Sequence, residues 1–204
     1  KEKNGIPILK ITQMPISERI DDSIEKEFLK YAKEFRDKEV AILDLRENKG
    51  GNSVSAVKWL EEYSKRKIST NSQRLLPLMT QEENLRNDVF IPNSSMLIIL
   101  VSNNTASAAE VFLDASYNLT NVIIIGENTY GAMRSDSGNP KLKLINSEIE
   151  ITYGKSLCLF PENDYFIEGR GFVPDICVPA EKAEELALKM IQYYKLQQTQ
   201  TQKR

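Results

Sequence analysis

No histidine occurs anywhere in the 204 residues. A Ser-His-Asp site therefore cannot be completed from this chain's own side chains, and a zinc site lacks its commonest nitrogen ligand. Cysteine is nearly as scarce. Cys158 and Cys177 are the only two, each set between apolar neighbours, so both read as buried free thiols rather than a disulfide framework. No apolar run approaches the ~18 residues that a membrane-spanning helix needs. The opening Lys1-Glu2-Lys3-Asn4 has no secretion-signal layout. An excess of one charge is lacking too. The 27 Lys and Arg against 29 Asp and Glu leave a formal net charge of -2, which provides no strong field toward nucleic acid or an anionic membrane.

What is present is ordinary globular material, with 41% hydrophobic and 27% charged residues. A chain of this length buries about 70% of its unfolded surface and needs no metal or disulfide to fold. Ile6 to Thr12 reads as a short strand. Ile20, Ile24, Phe28, Ala32 and Phe35 then recur at helical spacing behind Asp21 and Asp22. Glu39 to Leu45 is an apolar run of strand length, ending in the turn Asn48-Lys49-Gly50-Gly51-Asn52. A helix is predicted over about Ser53 to Lys65, burying Val54, Val57, Leu60 and Trp59, with a polar loop from Ser69 to Pro92.

Met96 to Val101 is a continuous apolar run and predicts a buried strand. A helix from Ser107 to Tyr117 and a second buried strand from Val122 to Gly126 follow it. Leu142 to Phe160 reads as strand and hairpin material. Ala180 to Tyr194 reads as a helix with Ala183, Leu186, Ala187, Met190, Ile191 and Tyr194 on one face, and Leu196 to Arg204 as a frayed polar tail. Alternation of strand and helix argues for an α/β domain around a mainly parallel sheet.

In such sheets ligands collect at the carboxyl ends of the strands. Two of those ends carry suggestive residues. Asp44-Leu45-Arg46-Glu47-Asn48-Lys49-Gly50-Gly51 runs from a strand through a Gly-Gly turn to a helix. Glycines let backbone N–H groups approach a ligand, and the helix start favours negative charge; a plain strand-to-helix turn would look the same. Thr105-Ala106-Ser107-Ala108-Ala109-Glu110 also sits between a strand and a helix. Ser107 there is either a nucleophile at a sharp turn or the first residue of a capping box closed by Glu110. Glu168-Gly169-Arg170-Gly171-Phe172-Val173-Pro174-Asp175 marks a defined turn and by itself says nothing about function.

Taken in order, Asp44-Leu45-Arg46-x-Asn48-x-Gly50-Gly51, Thr105-Ala106-Ser107-Ala108-Ala109-Glu110, Gly126-Glu127-x-Thr129-x-Gly131 and Glu168-Gly169-x-Gly171-x-x-Pro174-Asp175 resemble the C-terminal-processing (tail-specific) serine peptidases. That family also takes in tricorn-type peptidases and the retinoid-binding modules of the interphotoreceptor matrix. The resemblance implies a ClpP/crotonase-like core of stacked βαβ units with a mainly parallel central sheet plus hairpin strands. It implies a catalytic domain over residues 1–196 within a longer protein having an upstream region, and 197–204 as tail. It implies a serine endopeptidase working through an acyl-enzyme, with Ser107 as nucleophile and Gly50, Gly51 and Ala108 around the oxyanion hole. No metal or other cofactor is implied. The expected partner is a polypeptide substrate; self-association is left open, and most relatives work outside the cytoplasm.

The departure lies at the base. The Ser-Lys branch carries lysine where this chain has Ala132, and glutamine where it has Asp136. Lys141 and Lys155 lie off the motif. Three readings stay open: a histidine from an upstream region with Glu168 completing the site, as in the tricorn-like branch; a Ser-Lys enzyme whose lysine has been replaced; or an inactive peptidase-like module that binds peptide or an apolar ligand.

Overall fold

Val40 to Asp44 is buried at all five positions. A strand without a solvent face needs cover above and below it, and the rest of the chain supplies that cover. The computed structural model describes residues 1–15, 22–70, 73–75, 95–133, 135–136, 141–153, 156–159 and 166–201. In chain order the elements are β1 (Glu2–Lys3), β2 (Ile6–Lys10), α1 (Asp22–Arg36), β3 (Val40–Asp44), α2 (Ser53–Ser64), β4 (Gln73–Leu75), β5 (Met96–Val101), α3 (Ala108–Ser116) and β6 (Val122–Gly126). They continue with β7 (Ser135–Asp136), β8 (Lys141–Lys143), β9 (Glu150–Thr152), β10 (Ser156–Leu159), β11 (Phe166–Ile167), β12 (Gly171–Phe172), β13 (Ile176–Cys177) and α4 (Ala180–Thr201).

Among the described residues the main sheet runs β1-β2-β3-β5-β6-β13. Every pair in it is parallel except β1 with β2. Successive strand residues point to opposite faces, and the core divides accordingly. Ala41, Leu43, Leu97, Ile99 and Val101 pack with α1, α2 and α3. Val40, Ile42, Ile98 and Leu100 pack with Ala183, Ala187 and Ile191 of α4. Trp59 of α2 is fully buried, stacked on Tyr63 with ring centres 5.5 Å apart and edge-on to Phe35 at 5.9 Å.

The predicted helices and strands are present, with several differences in burial and extent. Val54 was expected inside and is exposed, because α1 and α3 cover the Trp59 side of α2; Ile24, in the first turn of α1, was expected inside and is exposed as well. Cys177, expected buried, is exposed on the short edge strand β13, whereas Cys158 is buried. The last helix continues past Tyr194 to Thr201, and Tyr194 is exposed. Gln73–Leu75 forms a strand inside the segment expected as loop; Ile20 and most of that loop lie outside the described residues.

Candidate active site

Parallel register aligns the carboxyl ends of the central strands: Asp44 lies beside Leu100, and Val101 beside Gly126. Three loops, 45–52, 102–107 and 127–133, leave from that one edge. Backbone bonds pin them together. The Ala106 N–H donates to the Asn48 carbonyl at 2.9 Å, and the Tyr130 N–H to the Thr105 carbonyl at 2.9 Å. Thr105 is buried, and its hydroxyl donates to the Leu45 carbonyl at 2.9 Å.

Asp44 and Arg46 of the first motif clamp the scaffold. The Arg46 guanidinium grips Asp44 at 2.8 and 2.7 Å and the Ala180 carbonyl at 2.8 Å, which ties the end of β3 to the start of α4. The hydrogen bond that it donates to Asp44 raises the guanidinium's affinity for its proton further. Asp175 is structural too, accepting from the Ile124 N–H at 2.7 Å.

Ser107 is exposed, with φ 55° and ψ -119°. Asn52, which caps α2, has the ordinary extended backbone, φ -90° and ψ 118°. A cap therefore does not require the Ser107 conformation. A non-glycine residue held there costs about 1–3 kcal/mol and persists only where its surroundings enforce it. Part of the expected capping box is present, since the Glu110 carboxylate accepts from the Ser107 N–H at 2.9 Å. The Glu110 N–H donates to the Ser107 carbonyl at 2.8 Å. The next amide, Ala108 N–H, makes no hydrogen bond among the described residues.

The glycine turn lies against this elbow. A Cβ on Gly50 would sit 2.7 Å from the Ser107 Cβ and 3.1 Å from the Ala108 nitrogen. A Cβ on Gly51 would collide with the Met14 carbonyl. Gly50, expected among the oxyanion donors, already gives its N–H to the Asn48 side-chain oxygen at 2.9 Å. The Gly51 N–H makes no hydrogen bond among the described residues, and the buried Asn48 side-chain nitrogen finds no partner. Gly50→Ala combines the steric conflict with an unfavourable φ of 109°. We expect it to lower stability by about 2–3 kcal/mol in urea denaturation and to displace Ser107.

Glu110 does more than cap a helix, a role the sequence reading missed. Fully buried, its carboxylate accepts from the Thr129 hydroxyl at 2.6 Å and the Gly131 N–H at 2.7 Å on one oxygen. The other oxygen takes the N–H groups of Ser107 and Ala132, both at 2.9 Å. Burial pushes this carboxyl above the usual carboxylate range, against the opposing pull of the Thr129 hydroxyl and the three amides. Ser107 and Ala132 thus stand on either side of one oxygen atom. The spacing to Thr129 and Gly131 in the third motif was the available clue.

Glu168 is brought to the same loop. Gly169 N–H donates to the Gly131 carbonyl at 2.7 Å, and Glu168 accepts a long bond from Met133 N–H at 3.4 Å. The Asp136 side chain lies outside the described residues. Lys49, which the sequence reading passed over, is exposed one residue before Gly50. It has no ion pair among the described residues. No cluster of three or more His, Cys, Asp or Glu is placed to hold a metal among the described residues. Nor, among them, is any helix long and apolar enough to cross a membrane.

Solved structures share this fold at low identity. A lipoprotein from Streptococcus agalactiae is 18% identical, with TM-score 0.57 over 95% of this chain and 69% of that one. The photosystem II D1 C-terminal processing protease is 18% identical, with TM-score 0.53 over 85% of this chain and 42% of that one. Mature CPAF is 16% identical, with TM-score 0.63 over 86% of this chain and 47% of that one. The chain spans less than half the length of the last two. A family model described as peptidase family S41 matches residues 5–178. With that match across most of its length, the chain belongs to peptidase family S41.

Proposed function

We propose that this chain is a serine endopeptidase domain in which Ser107 attacks the carbonyl carbon of an extended polypeptide substrate. The observation that carries the reading is the exposed Ser107 held at φ 55° beside an unbonded Ala108 N–H. The Ser107 oxygen forms the new bond to carbon, and its proton passes to a base. That base then gives the proton to the departing amine, leaving an acyl-enzyme that water hydrolyses. The Ala108 N–H, at the start of α3, stabilises the oxyanion, with Gly51 N–H as second donor; one such donor is worth about 3–4 kcal/mol where tested. Gly50 contributes by having no side chain, which lets the turn lie against Ser107.

The base comes from outside these 204 residues, since the chain has no histidine and alanine at position 132. In this reading Glu168, whose carboxylate accepts from the Met133 N–H, orients an incoming imidazole. A site outside the cytoplasm is consistent with the lipoprotein among the structural neighbours. The second reading, a peptide-binding module without turnover, is favoured by Ala132 alone.

Labelling with a fluorophosphonate, read by intact mass, tests the assignment on the 204-residue chain and on the chain with the rest of its protein. We expect Ser107 to be labelled only in the second. Labelling of the 204-residue chain alone would put the base inside it, with Lys49 the first residue to replace. No labelling in either, with the fold intact, leaves the binding module.

A further inference from the structure

Between β7 and β10 the chain runs out into a hairpin whose strands pair Lys141 with Thr152, Leu142 with Ile151 and Lys143 with Glu150. Leu144 N–H donates to the Ile149 carbonyl at 2.9 Å, which carries the same register to the tip. Because side chains alternate, Leu142, Leu144, Ile149, Ile151 and Tyr153 share one face. The other face carries charges that neutralise one another, with Lys141 paired to Glu150 at 2.8 Å and Lys143 to Glu148 at 3.5 Å.

A hairpin with one apolar and one charged face is built to be buried on the apolar side. Here it is not. Leu142 is 54% exposed, Ile149 58%, Tyr153 53%, and Ile145 at the tip 96%. Among the described elements β8 and β9 pack extensively on no element but each other. A two-stranded hairpin is marginally stable by itself in water, so a face like this one calls for a partner.

We infer that two copies of the chain associate through this face, hairpin against hairpin. Three features select a second copy. The aliphatic ladder is complementary to itself across a two-fold axis, as an isologous interface requires. The paired charges leave the arm neutral, so two arms meet without repulsion, whereas an anionic bilayer would favour an excess of lysine. The five exposed apolar side chains of that face supply part of the ~800 Å² per partner in a standard interface. A partly open apolar groove of about 560 Å³ also lies between Met96, Ile123 and Met190, with α4 forming one wall. The dimer does not depend on Ser107 being catalytic.

Sedimentation velocity of the 204-residue chain between about 1 and 100 μM, the range for a modest interface, tests this. We expect a monomer–dimer equilibrium. Leu142→Thr with Ile151→Thr, which keeps β-forming residues in both strands, should raise the dissociation constant at least tenfold, and Lys143→Ser on the charged face should leave it unchanged. Hydrogen exchange of the unaltered chain gives a readout without variants, with protection rising with concentration in 141–152 and not in α4. A chain that stays monomeric across the range, or a double variant that dimerises as tightly as the parent, overturns the inference. So does a monomer that pellets with phosphatidylcholine vesicles only while Leu142 and Ile151 are intact, which would assign the face to a bilayer.

Discussion

Glu110→Gln is expected to lower the unfolding free energy by about 2–4 kcal/mol and to abolish any fluorophosphonate labelling of Ser107. The carboxylate serves four donors, two on each oxygen. A glutamine keeps one oxygen and turns the other into an NH₂ group. Two of the four donors must then face a donor in a fully buried site. If the amide turns toward Ser107 and Ala132, the elbow loses the bond that holds its N–H. Glu110→Ala removes all four acceptor contacts and should cost about 3–5 kcal/mol, a large share of the 5–15 kcal/mol typical of a domain. Urea denaturation measures the first effect and intact-mass labelling the second. A glutamine variant with unchanged stability and labelling would show that the elbow holds itself.

Ala132→Lys is expected to raise the rate at which Ser107 reacts with a fluorophosphonate by about 10²–10⁴, the range for a positioned general base. Ala132 and Ser107 share the same Glu110 oxygen, each at 2.9 Å. A lysine's four-carbon stem can therefore bring its amine to the Ser107 hydroxyl. Position 132 is half-buried, and partial burial lowers a lysine pKa toward the working range. Asp136→Gln, which restores the glutamine that the Ser-Lys branch carries at this position, should increase the gain. Ser107→Ala in the same background must remove it entirely. If neither Ala132→Lys nor the double variant reacts faster, the Ser107 elbow is not arranged for acyl transfer, and the binding-module reading gains.

The two expectations differ in how far they could be read in advance. Ala132 was marked by its place after Gly131 in a linear motif. Glu110 was visible only as the fourth residue of a capping box. Its partners Thr129, Gly131 and Ala132 lie 19 to 22 residues away, and they reach it because β6 runs parallel to β5. Ser107 shows the same division. Its position between a strand and a helix was legible, but cap and nucleophile share one local pattern. The left-handed backbone that separates them lies against the Gly50 turn, from outside the segment, and is held by the Glu110 carboxylate, whose other donors lie outside it.

By itself the sequence determined the main helices, the buried strands and their order. Val40–Asp44, Met96–Val101 and Val122–Gly126 are apolar runs that exclude water wherever they pack, and helical spacing marks Phe28, Ala32 and Phe35 as one face. It also determined what the chain cannot supply, a histidine or a lysine at position 132. Only the tertiary structure decided which apolar residues are covered. Val54 is exposed and Trp59 buried on one helix because neighbours lie on one side alone, and Leu142 and Ile151, paired with each other across a hairpin, stay exposed. Periodicity states which residues share a face; what lies opposite that face depends on contacts between segments far apart in the chain.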